Sequence, residues 1–150
     1  MCGLVLLLAA GCGGDDDDPL DVNPNDNGSM TARVDGAAFT AFSVAGTFNG
    51  SVLAVSGIQI SPSQGLTIGV ATTAPGTFTV GTGSSGVNGI YVSGNSSWSA
   101  AGNIGSGTVI ITTLSSTRAV GSFNFVMQAQ AGSGATGTRT ITQGAFDVRF

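Results

Sequence analysis

The residues of this chain whose types can do chemistry are few, and they fall in three places. Cys12 follows Leu8-Ala9-Ala10-Gly11 at the end of an apolar run, Tyr91, Asn95 and Trp98 lie close together in the middle, and Asp35 and Asp147 are the only side-chain carboxylates beyond Asn27. A thiol behind small residues suits thioether formation, because Gly11 places no side chain beside it. Aromatic faces flanked by Asn and Ser suit sugar recognition, where a ring stacks on C–H groups and amides bond hydroxyls. Two carboxylates brought to one cleft would suit glycoside hydrolysis.

The catalytic reading is the weakest of the three. The 150 residues contain no His, Glu or Lys, so general acid–base work would fall to Asp35, Asp147 or Tyr91. Asp35 precedes Gly36 in a turn pattern, a position Asp takes for a local backbone hydrogen bond. Asp147 alternates outward between Phe146 and Val148. Neither is poised, and the chain reads as a non-enzyme without a cofactor. Zinc lacks ligands of the right type. Asp21, Asn23, Asn25 and Asn27 alternate like the oxygen donors of a calcium loop, but Asp26 stands where such a loop turns on Gly, Pro24 stiffens it and no Glu closes it, so no metal site is expected. Four scattered arginines make no basic stripe, which argues against a nucleic-acid partner.

The elements that position these groups differ along the chain. Residues 1–11, MCGLVLLLAAG, carry too short an apolar run to span a bilayer, which takes about 20 helical residues. They fit the short end of a signal peptide. An ordinary secretory signal cleaved near Ala10 would leave Cys12 as a free thiol. Residues 12–28 then hold six Asp, two Pro and no aromatic, a composition that stays extended and solvated. This tether carries more than the whole net charge of −4.

From Ser29 the branched aliphatic residues are twelve Val and eight Ile against three Leu, with Thr, Ser and Gly between them in alternation of period two. Such residues suit pleated strands. Residues 29–150 are therefore expected to form one all-β domain, an antiparallel β-sandwich or small closed barrel of eight to nine strands. Asp35-Gly36 and Asn49-Gly50 mark turns, Phe39 to Val44 reads as one strand, and Gly121, Phe123, Phe125, Met127 and Ala129 line one face of the longest. Ile141 and the Phe146, Val148, Phe150 set lie on opposite parities, which a β-bulge at Gly144 would reconcile. The stretches Thr82 to Gly89 and Gly94 to Ser106 read as loops, placing Trp98 in a polar loop where it either stacks on a sugar or caps one end of the core.

Leu8-Ala9-Ala10-Gly11-Cys12 resembles the lipobox of bacterial lipoproteins, although Ala9 stands where that pattern prefers Leu and no Lys or Arg precedes the run. The resemblance implies cleavage before Cys12, a diacylglyceryl group on its thiol, an acyl chain such as palmitate on its new amino end, and a membrane partner reached through these lipids. An acidic run behind such a cysteine resembles the export signal of some outer-membrane lipoproteins. Met30 to Phe39, Gly107 to Thr112, Val120 to Phe125 and Ile141 to Val148 are similar to segments of small bacterial lipoproteins of a domain-of-unknown-function class, which implies an extracytoplasmic β domain at the periplasmic or cell-surface face. Three roles stay open: a structural module that meets another envelope protein, a glycan- or small-ligand-binding module using Tyr91, Asn95 and Trp98, and, from the terminal Phe146-Asp147-Val148-Arg149-Phe150, a barrel inserted in the outer membrane. Outward Ser, Thr and Asn speak against the last.

Overall fold

The computed structural model describes residues 27–81 and 86–150. The leader, Cys12 and the tether up to Asp26 lie outside the described residues. Eleven strands and no helix are present among those described: β1 Gly28–Val34, β2 Ala37–Thr40, β3 Ser43–Phe48, β4 Val52–Gln59, β5 Gln64–Ala71, β6 Gly76–Val80, β7 Val87–Ser93, β8 Ser96–Ala101, β9 Ser106–Leu114, β10 Arg118–Ala129 and β11 Thr138–Arg149. All pairings are antiparallel, and together they make one sheet curled into a half-barrel.

The sheet forks at β10. Its first part pairs with β9, while Gln128 and Ala129 at its end pair with Ser99 and Trp98 of β8. One branch therefore runs β6-β9-β10-β11-β1-β2 and the other β8-β7-β5-β4-β3. Their inner faces meet large side chain against glycine. A Cβ on Gly57 of β4 would come within 2.8 Å of Met30 Sδ on β1, and one on Gly89 of β7 within 2.8 Å of Met127 Cε on β10. Phe39, Leu53, Leu66, Ile68, Ile111, Phe125 and Ile141 fill the space between, all buried.

Local signals set the turns as the sequence predicts. Asp35 and Gly36 have φ of 49° and 85°, the two positive values that a type I′ hairpin requires. Asn49 Oδ1 accepts hydrogen bonds from the Ser51 and Val52 amides, closing the β3–β4 turn.

The eleven strands exceed the expected eight to nine for two reasons. The segment Phe39 to Val44 is two strands, because the chain changes branch within it: the Ala41 amide bonds Met30 O on β1, and the next amide, of Phe42, bonds Ile58 O on β4. A bend of this kind lets one segment serve both layers. The second reason is β8, which forms inside the stretch expected to be a loop. Trp98 and Ala100 are buried there while Ser97 and Ser99, which alternate with them, are not, so the period-two pattern exists in residues whose polarity disguises it.

The bulge in β11 is also displaced. Phe123 pairs with Gly144 but Phe125 with Ile141, and Thr31 of β1 pairs with Ala145 but Arg33 with Thr142, so β11 carries one extra residue between Ile141 and Gly144. The residue with left-handed φ is Gln143, at 51°. Gly144 serves a different need, since a Cβ there would collide with the Phe123 ring.

Candidate functional site

Tyr91 and Trp98 face each other across the β7–β8 hairpin, directly paired in register with ring centroids 5.7 Å apart. Both point inward and are buried, at 2% and 4% exposure. Trp98 is fully engaged. Its Nε1 donates to Thr136 O at 3.2 Å, and the Arg139 guanidinium lies 4.3 Å from its ring centre, a cation–π arrangement that covers the indole face. Burial raises the Tyr91 pKa, and Ser93 and the charge of Arg139 oppose that rise. Asn95 stands apart, exposed in the two-residue turn beside Gly94. The structure thus unites Tyr91 with Trp98 in the core and leaves Asn95 outside, and Trp98 lies in a strand rather than a loop. A sugar stacking on Trp98 would need an open ring face that Arg139 and Tyr91 already occupy.

Arg139 is the residue that sequence reasoning passed over here. It shares the inward parity of Ile141, so it reaches over the end of the core instead of into solvent. Its Nη1 also binds Asp35 Oδ2 at 3.1 Å, while Asp35 Oδ1 accepts the Thr140 amide at 2.8 Å. A turn carboxylate, a guanidinium, an indole and a phenol therefore form one chain of contacts closing that end of the domain. The available signal was the phase break, which decides the side on which Thr138-Arg139-Thr140 projects.

The second carboxylate is equally committed. Asp147 accepts from Arg118 Nε at 2.9 Å and from Nη2 at 2.6 Å, a bidentate pair on the outer face. The hydrogen bonds from Arg118 hold the Asp147 carboxyl below the usual carboxylate range. Asp35 and Asp147 do not share a cleft: each binds its own arginine.

The concave surfaces lie elsewhere. A cleft of about 400 Å³ over β4, β5, β7 and β8 is lined by Val52, Ala71, Ala101 and neighbouring glycines, with Asn88 as its polar side chain, lying against Gly69. A trough of about 360 Å³ crosses β6, β9, β10 and β11 on the outer face. A smaller one of about 210 Å³ lies over β1 and β2, beside Arg33 and Gln143, which are joined by an Arg33 Nε to Gln143 Oε1 hydrogen bond of 2.9 Å.

The described residues thus form an antiparallel, forked all-β domain in which Asp35 and Asp147 each pair with an arginine and Tyr91 packs on Trp98. The chain belongs to the family described as a domain of unknown function, DUF6252, whose model matches residues 26–148. No curated protein and no solved structure matches it.

Proposed function

We infer that this protein is a non-catalytic, lipid-anchored module of the cell envelope, held at the outer membrane by Cys12 and carried on the acidic tether, with a structural or interaction role. The observation that carries the non-catalytic part is the commitment of the described carboxylates and of the tyrosine–tryptophan pair. Asp35 binds Arg139, Asp147 binds Arg118, and Trp98 is enclosed by Arg139, Thr136 and Tyr91. A general acid or base must meet a proton on a substrate. These groups meet the protein itself.

The anchor rests on the lipobox-like residues before Cys12 and on the lone thiol that remains after cleavage. Acyl chains contribute about 0.8 kcal/mol per buried methylene, and more than one chain makes attachment effectively permanent. The two branches read as the layers of a β-sandwich left joined at β10, a scaffold that displays outer faces while its interior is filled. Expression in a Gram-negative host, membrane fractionation and mass measurement test the anchor. The mature chain should begin at Cys12 with added lipid mass, and Cys12→Ser should release it from detergent-phase partitioning. A water-soluble mature form with a free Cys12 thiol would refute the reading.

A further inference from the structure

Among the described residues, three strands pair on one side only: β2, β3 and β6. An open strand edge presents a row of backbone N–H and C=O groups, and what fits such a row is another strand. Two of the three edges are blunted. β2 is four residues long, and on its open side the Thr40 amide donates to Gln59 Oε1 at 2.9 Å. β6 is five residues long and its Thr79 is already engaged. β3, Ser43–Phe48, is the longest of the three; it contains no charge and no proline, and it pairs with β4 without a bulge, so it lacks the features that discourage edge pairing.

Which groups of β3 are open follows from the turn after it. The Asn49 amide bonds Val52 O at 3.3 Å, so these two form a hydrogen-bonded pair, and such pairs alternate along an antiparallel ladder. Thr47, Ala45 and Ser43 therefore turn their backbone groups toward β4, while Val44, Gly46 and Phe48 turn theirs away from it. No described residue bonds these outward groups. The strand that carries them is held firmly from below. Gly46 lies so close to β11 that a Cβ there would collide with the Val148 side chain, and the Phe48 ring stands 6.4 Å from that of Phe150. An edge fixed in this way loses little freedom when a second strand joins it.

We propose that the β3 edge pairs with β3 of a second copy of this chain, antiparallel across a two-fold axis at Gly46. In that register Gly46 faces its own mate and Val44 faces Phe48 of the second copy, each pair exchanging two hydrogen bonds. Every outward group then has a partner, whereas an axis at Ala45 would leave Phe48 without one in the strand. Self-pairing sets like residues close to like, which a charged strand resists. β3 lies in the uncharged stretch between Asp35 and Arg118. A foreign peptide added to an edge is selected by pockets for its alternate side chains, and none of the three clefts is lined by β3. The outer side chains at the new seam are Ala45 and Thr47, both exposed, and they face each other across it. The pairing names the partner in the interaction role inferred above and rests on that reading.

The test uses two full-length chains with different affinity tags, expressed together and extracted in detergent, with capture of one and detection of the other. Parent chains should be captured together. Ala45→Lys with Thr47→Lys in both copies sets like charges against each other and should lower co-capture at least tenfold, as should Ala45→Asp with Thr47→Asp in both. Mixing the lysine copy with the aspartate copy should restore it, which a misfolded variant cannot do. If the double variants melt below the parent, a Thr47→Lys copy and an Ala45→Asp copy read the same contact and should prefer each other to themselves. Absence of co-capture between parent chains, co-capture indifferent to like charges, or no preference between opposite charges in variants that melt with the parent would overturn the proposal. The fractionation experiment separates this from the anchor: a lipidated chain that does not pair removes the pairing alone, and a chain that pairs without lipid removes the anchor alone.

Discussion

The two branches of the sheet keep their register by different means. In the branch β8-β7-β5-β4-β3 every pairing runs without a shift from one end to the other. In the branch β6-β9-β10-β11-β1-β2, three pairings shift: β1 with β11, β10 with β11 and β10 with β9. Charge divides along a related line. No charged residue lies between Asp35 and Arg118 in the sequence, and all six charged residues among those described sit on β1, β10, β11 or the β1–β2 turn. Connection length alone does not sort the pairings: β9 and β10 are joined by three residues and shift, whereas β5 and β7 have β6 between them in the sequence and do not. Hairpin neighbours such as β3–β4 and β7–β8 inherit their register from a short turn. Strands β1 and β11 are separated by most of the domain and have no turn to align them, and closing so long a loop has an entropic cost. There the alignment is held by side chains that act at a distance in sequence: Asp35 on Arg139 and Thr140, and Arg33 on Gln143.

The largest expected effects come from residues that join the branches. Trp98→Ala should destabilise by about 3–5 kcal/mol in urea unfolding, and Phe125→Ala by a similar amount, since each opens a cavity in a filled interior. A loss under about 0.5 kcal/mol at Trp98 would mean that its ring is not part of the core.

A matched pair of glycines sharpens the contrast between the branches. Gly144→Val should cost about 1–3 kcal/mol by driving a side chain into the Phe123 ring. Gly65→Val, in the unshifted branch, has only Gly57 O at 4.0 Å from its added Cβ. It should stay within about 0.5 kcal/mol of the parent. Equal losses at the two sites would break the comparison.

Next in size is the bulge itself. Gln143→Gly should raise the melting temperature, because glycine occupies the left-handed region without the roughly 1–2 kcal/mol that an L side chain costs there. The gain is reduced by loss of the Arg33 hydrogen bond. A fall in melting temperature would show that the Arg33–Gln143 contact outweighs the backbone strain.

The smallest effect belongs to the exposed Arg118–Asp147 pair. Because Arg118 lowers the Asp147 pKa in the folded state, the pair's stabilisation is complete above the unfolded carboxylate pKa and is lost as pH falls through the lower folded value. Melting temperatures of the parent and Asp147→Asn should therefore differ slightly at neutral pH, converge in acid and converge again in high salt. A difference that persists at the acid end would assign the effect to something other than this ion pair.

The sequence alone settles a good deal here, because its signals are local. β-Branched alternation and the Asp35-Gly36 and Asn49-Gly50 pairs specify strands and turns through nearest-neighbour sterics, and Phe123, Phe125 and Met127 declare the inner face of β10 by period two. Its empty inventory of His, Glu and Lys is equally plain. What the tertiary structure decided depends on contacts between residues far apart in the chain. Ser and Gly around Trp98 hide a strand that becomes visible only when Ala129 and Thr136 pack on it, and the Phe39 to Val44 segment divides only because two different partners claim adjacent amides. Gly144 invites the bulge on conformational grounds, but the Phe123 ring needs the space above it, so Gln143 takes the left-handed position. The outer trough has the same origin: its lining comes from β6, β9, β10 and β11, and only the pairing of β6 with β9 brings the first of these beside the rest.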